Sequence, residues 1–198
     1  MTEALLPFVR KWSTKFTVLA LKVLSVMSIT LGDDENEYFE DVYAPVSRLV
    51  RDGADDQLVV EALYTMTLVA CVNCEDTHLH AQLMQDLGMV FMNTSRFNSD
   101  AIVAAMECWA FASTLMVSSS FVPKLGDPTM QLHDHVRALT KFVVQDEDAM
   151  IRASACEVLA LLVEYKQDVV DDTWHYSEET GPLGGLDVRI EVGCFRLF

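Results

Sequence analysis

Four apolar helical stretches recur along this chain at nearly constant spacing. Phe16, Leu19, Ala20, Val23, Val26 and Met27 superpose on Val59, Ala62, Leu63, Met66, Val69 and Ala70 at an offset of 43 residues. The same offset leads to Ile102, Ala105, Met106, Trp109, Ala112 and Ser113, and a further 49 residues lead to Ile151, Ser154, Ala155, Val158, Leu161 and Leu162. Apolar positions separated by three and four residues mark one face of a helix. A period of about 40 to 50 residues matches the helical hairpin of armadillo and HEAT arrays. A hairpin of this kind cannot bury its apolar face alone, so stacked neighbours supply the core. The expectation is an all-α, armadillo/HEAT-like helical-repeat solenoid of about four helical hairpins, which these positions fit better than a globular bundle.

Local signals place the helices. They run over about 2–12, 14–31, 37–51, 56–73, 77–92, 99–118, 128–144 and 148–166. Gly32 and Gly53 follow apolar runs and offer left-handed stops. Asp55 or Asp56, Asp76 or Thr77, and Ser99 or Asp100 are side chains suited to cap helix starts. Pro45 falls inside the third helix and must kink it or delay its start, because its ring removes a backbone donor. Residues 1–166 thus form a helical-repeat domain. Residues 167–198 begin with Asp168, Asp171 and Asp172, continue through Gly181-Pro182 and Gly184-Gly185, and read as an acidic, then Gly/Pro-containing flexible tail.

Charge narrows the function. The 14 Lys and Arg face 30 Asp and Glu, for a net charge of −16. A surface so acidic repels phosphate backbones and anionic headgroups, which disfavours free nucleic acid and membrane as partners and favours a protein with a basic surface. Basic residues gather once, as Arg10, Lys11, Lys15 and Lys22, a candidate patch for local phosphate contact. Residues 101–122 approach bilayer-spanning length, but Glu107 would lie near the membrane centre and no Lys/Arg-rich flank marks an inside, so a buried central helix is expected. Five cysteines, an odd number thinly spread, read as reduced thiols, and residues 1–12 show no secretory signal pattern. A cytoplasmic or nuclear location, or both, follows.

Catalytic and metal motifs are sparse. Cys71, Cys74, His78 and His80 put four potential zinc ligands within ten residues, but without a second Cys-x-x-Cys and with a Cys-to-His gap shorter than finger sites use. They read as a helix end followed by solvated histidines, and no cofactor is expected. His133 and His135 fall on nearly opposed sides of a helix, cannot share one metal, and are expected at the surface. The acidic run 33–37 lacks the glycine and terminal glutamate of an EF-hand loop. Glu61, Glu107 and Glu157 sit between the matched core positions, where the concave or inter-repeat surface of the array is expected. Nothing assembles a nucleophile, base and orienting group, so no enzyme is expected.

Longer strings carry a family resemblance. Ala20-Leu-Lys-Val-Leu-Ser-Val-Met-Ser-Ile-Thr-Leu-Gly32, the acidic loop after it and Tyr43-Ala-Pro-Val-Ser-Arg-Leu-Val-Arg-Asp-Gly53 resemble the N-terminal domain of the interferon-related developmental regulators. Ala110-Phe-Ala-Ser-Thr-Leu-Met116 and the stretch from Asp146 to Glu164 are similar to that domain's last two helices. The resemblance implies an armadillo- or HEAT-like fold and a non-enzymatic regulator. The implied role is a transcriptional co-regulator working through protein contacts. A ribosome-associated, translation-silencing factor binding ribosomal protein or rRNA is the alternative, and a zinc-binding module a second one.

Overall fold

The computed structural model describes residues 14–32, 36–53, 55–73, 77–118, 129–145 and 148–173. They form seven helices and, among the described residues, no strand: α1 (Thr14–Leu31), α2 (Asn36–Asp52), α3 (Asp56–Asn73), α4 (Thr77–Met92), α5 (Ser99–Ser118), α6 (Thr129–Gln145) and α7 (Ala149–Thr173). The helix expected over 2–12 lies outside the described residues. The chain divides into two compact units, 1–121 and 122–198.

The helix ends follow from side-chain chemistry. Asp55 caps α3 by accepting the Leu58 N–H at 3.1 Å, and its other carboxylate oxygen accepts the Thr14 hydroxyl at 3.3 Å, tying the start of α1 to the start of α3. Gly32 (φ 72°) and Gly53 (φ 60°) occupy the left-handed region where a Cβ is strained. For α5 the cap is Asn98 rather than Ser99 or Asp100. Its Oδ1 accepts the Ala101 N–H at 2.9 Å while its carbonyl accepts from Ile102, the reach of an N-cap side chain to the third helical residue.

Of the two alternatives for Pro45 the delayed start is excluded, and the expected end of the last helix is corrected. α2 runs without interruption from Asn36 through Pro45, so the proline does not delay its start. Val42, Val46 and Val50 form one fully buried stripe, and that packing offsets the lost backbone bond. The last helix continues to Thr173, past Lys166, because the residues from Gln167 to Thr173 contain neither Gly nor Pro.

Within the first unit the helices form two layers. α1, α3 and α5 pack side by side in that order, while α2 pairs with α3 and α4 with α5. α3 and α5 therefore each meet a hairpin partner and a neighbouring inner helix, and α1 packs on α3, the arrangement of a helical-repeat solenoid. In the second unit α6 and α7 make the corresponding pair. Val59, Ala62, Leu63, Met66, Val69 and Ala70 on α3 and their counterparts from Ile102 to Ser113 on α5 are all buried. Trp109 meets Phe91 edge-on, with ring centroids 6.3 Å apart. On α7, Ile151, Ser154, Ala155 and Val158 are buried, while Leu161 and Leu162 are half-buried.

The register of α1 differs from the sequence expectation. Phe16, Leu19 and Val26 are more than half exposed, and Val23 is 39% exposed. The buried residues are Thr17, Val18, Ala20, Leu21, Leu24 and Ser28. Leu21 takes the place that Leu63 holds on α3, and Leu24 that of Met66, one residue short of the expected offset. α1 is apolar on two opposite faces, so periodicity cannot say which one meets α3. Polar contacts decide it. Ser25 donates to Thr65 at 3.0 Å, Ser28 donates to Asn73, and the Asn73 amide donates to the carbonyls of Ser28, at 3.2 Å, and Gly32.

His135 is a further correction. It is 3% exposed rather than on the surface, on the α6 stripe with Val136, Leu139, Phe142 and Val143. Burial lowers its pKa by penalising the charged ring, against a smaller opposite effect of Asp134.

Candidate functional site

The inner helices of the first unit carry a solvent-facing edge where the repeat places unlike side chains at equivalent heights. Lys22, Tyr64 and Glu107 occupy matching positions on α1, α3 and α5, and all three are exposed. Tyr64 donates its phenolic O–H to Glu107 Oε2 at 2.6 Å. One turn before Tyr64, Glu61 lies 3.7 Å from the Lys22 ammonium. Each contact bridges two consecutive repeats. Burial raises the Tyr64 pKa, and the hydrogen bond and charge of Glu107 raise it further. The phenol therefore stays a donor that holds the carboxylate in place.

Beside this pair lies a shallow groove of about 250 Å³, lined by Tyr64, Thr67, Leu68, Glu107, Cys108 and Phe111. Its walls are mainly apolar, with Phe111 44% exposed and Glu107 at the rim. Burial pushes the Cys108 thiol up to about 12, an effect that the Thr67 hydroxyl opposes without cancelling. A thiol held protonated is a poor nucleophile, so Cys108 serves as wall rather than reagent.

The other sequence-derived candidates distribute as follows. Glu61 and Glu107 share the inner edge of the first unit, whereas Glu157 is exposed on α7 of the second. Lys15 and Lys22 are exposed on α1. Arg10 and Lys11 lie outside the described residues, as does Cys74, and the His78 side chain is likewise not described. Cys71 is half-buried on α3 and forms no disulfide. The His80 ring nitrogen Nε2 lies 3.0 Å from the Ala70 carbonyl, a backbone contact. Among the described residues no three His, Cys, Asp or Glu side chains converge as metal ligands.

The sequence pattern marks Glu61 and Glu107 but not Tyr64, Leu68 or Phe111. A signal was present, because Tyr64 and Glu107 stand 43 residues apart, at the repeat offset itself. On the outer layer Tyr43 and Asp86 repeat that separation, with the phenol donating to the carboxylate at 3.2 Å.

Stacked helical pairs of this kind define a helical-repeat protein. The match to known proteins narrows this class. The model of the interferon-related developmental regulator family matches residues 1–183, and the chain belongs to that family. It is thus a regulator-type protein from a family not known for catalysis. No curated protein matches the chain.

Proposed function

We propose that this protein is a non-enzymatic interaction scaffold of the transcriptional co-regulator type, working in the nucleus, the cytoplasm or both, and that its inner-helix edge takes a segment of a partner with a basic surface. The groove beside the Tyr64–Glu107 pair is the observation that carries this. Phe111 and Leu68 offer apolar contact, and Glu107, fixed by Tyr64, offers a carboxylate for a Lys or Arg that follows. Glu61, paired with Lys22, marks the end of this edge toward α1, and the net charge of −16 favours approach by a basic partner.

The test is recovery of partners from cell extract at about 50 mM and about 200 mM salt, with and without nuclease. It compares the wild-type chain with Phe111→Glu and with the pair Glu61→Lys/Glu107→Lys. Nuclease-resistant recovery of chromatin regulators, lost in both variants, is the expected result. A second role has one observation in its favour, the exposed lysines Lys15 and Lys22 on α1. Ribosomal subunits recovered at low salt and released by nuclease, with Lys15→Glu abolishing recovery and Phe111→Glu leaving it intact, would replace the co-regulator role with ribosome association.

A further inference from the structure

α3 and α5 bury most of their apolar side chains, and each leaves one ring in solvent. Among the described residues Tyr64, 37% exposed, is the exposed large apolar side chain of α3, and Phe111, 44% exposed, that of α5. Both line the groove beside Glu107, one from each wall. The repeat sets their positions. At the offset of 43 residues Tyr64 stands level with Glu107, and Leu68 stands level with Phe111. Leu68 follows Tyr64 by one helical turn, as Phe111 follows Glu107. The rings therefore hold two diagonal corners of the groove, with Glu107 and Leu68 at the other two.

Charge and size restrict the occupant. Glu61 is matched by Lys22 at 3.7 Å, whereas Glu107 faces a phenol and, among the described residues, no cation within salt-bridge distance. Tyr64 occupies its Oε2, which leaves Oε1 to an incoming charge. At about 250 Å³ the groove falls below the range of about 300–1,000 Å³ typical of small-molecule sites, and it suits one long side chain.

Hydration then separates one cation from another. A lysine ammonium brings three donors and a tight water shell, and an arginine brings a fork of five. One open carboxylate oxygen among apolar walls would leave most of those donors stripped of water and unpaired. Methylation keeps the charge of a lysine while removing donors, and alkylated ammonium groups of this kind are held by the faces of aromatic rings.

We infer that the groove receives a methylated lysine from the partner's basic segment. Its methylene chain lies against Leu68 and the apolar wall, its alkylated ammonium meets the Tyr64 and Phe111 rings, and Glu107 balances the charge. This narrows the occupant of the site proposed above and rests on that reading.

The test uses the full chain and a short fluorescein-labelled basic peptide in four forms that differ at one central position. These carry lysine, dimethyl-lysine, trimethyl-lysine, or the uncharged isostere in which a tert-butyl group replaces trimethylammonium. Anisotropy is expected to show both methylated forms binding at least about fivefold more tightly than the lysine and isostere forms. Phe111→Leu keeps an apolar side chain at an exposed position and removes the ring. It is expected to erase that preference, with helix content by circular dichroism unchanged. Glu107→Gln keeps an acceptor for Tyr64 and removes the charge, and it is expected to weaken both methylated forms by at least about threefold. Equal binding of lysine and methylated forms, an isostere bound as tightly as trimethyl-lysine, or a preference that survives Phe111→Leu would each overturn the inference. If partner recovery from extract is still lost in Phe111→Glu, the groove then remains a site for a basic segment with a different occupant. Recovery unaffected by Phe111→Glu would remove that wider reading as well.

Discussion

The Tyr64 phenol on α3 and the Glu107 carboxylate on α5 stand at the same point of successive repeats, and a 2.6 Å hydrogen bond joins them. The repeat therefore superposes a donor on an acceptor. Because Glu107 is exposed, this bond adds little to stability. Glu107→Gln is expected to shift the unfolding free energy by less than about 1 kcal/mol. It removes the Glu107 charge, one of the causes that raise the Tyr64 pKa, while its amide oxygen still accepts the phenol O–H, so ultraviolet titration should find this phenol ionising at lower pH than in the wild type. An unchanged Tyr64 titration would mean that the Glu107 charge does not contribute to it.

The register of α1 makes a sharp comparison between two neighbouring leucines. Leu21 is fully buried and Leu19 is 59% exposed. Leu21→Ala is expected to cost about 2–5 kcal/mol, from lost transfer energy and the cavity left behind. Leu19→Ala should stay within about 0.5 kcal/mol. Urea unfolding of the two variants decides the matter, and a reversed order would restore the register that the 43-residue offset suggests.

Asn73 joins α1 to α3 through both ends of its amide, accepting from Ser28 and donating to the carbonyls of Ser28 and Gly32. Asn73→Ala leaves buried carbonyl groups at the end of α1 without this partner. The expected loss is about 2–3 kcal/mol, read as a lower urea midpoint with an unchanged slope. Asn73→Asp keeps the acceptor and removes the donor, so it should not rescue.

Burial lowers the His135 pKa below its unfolded value near 6.5. The unfolded chain therefore takes up a proton first as pH falls, and stability drops below about pH 6.5, levelling off beneath the folded-state pKa. Hydrogen-exchange protection of α6 is expected to be lower at about pH 5.5 than at about pH 7.5. His135→Leu should remove most of that difference, and a wild-type difference that persists in this variant would assign it to other groups.

Most of the fold was legible because its signals are local or periodic. The Gly32 and Gly53 stops, the Asp55 cap and the core stripes of α3 and α5 each follow from a residue type at a given spacing. The errors have a common physical source. The outer stripe of α1, with Leu19 and Val26, is as apolar as the inner one with Leu21 and Leu24, so a pattern of hydrophobicity is degenerate there. Only tertiary hydrogen bonds from Ser25, Ser28 and Asn73 break the tie. His133 and His135 are expected at the surface because they fall on opposed sides of the helix and cannot share a ligand, yet opposed sides also allow one of them to face the core, and His135 does so on the Val136–Leu139 stripe. The candidate site was half visible. Glu61 and Glu107 stood out as charges among apolar neighbours, whereas Tyr64 and Phe111 look like core residues until the layers show which side of each inner helix meets solvent.

The inner layer also bears on how the chain folds. α1 packs on α3, and its hydrogen bonds reach residues 40 to 45 positions away, with the whole of α2 intervening. A hairpin such as α2–α3 closes a short loop and forms quickly, whereas seating α1 on α3 must close a loop several times longer. During synthesis α1 emerges before α3 and stays unseated on it until α3 has left the ribosome, with its α3-facing side open to water. That interval, rather than the finished array, is when this chain is most exposed to misassociation.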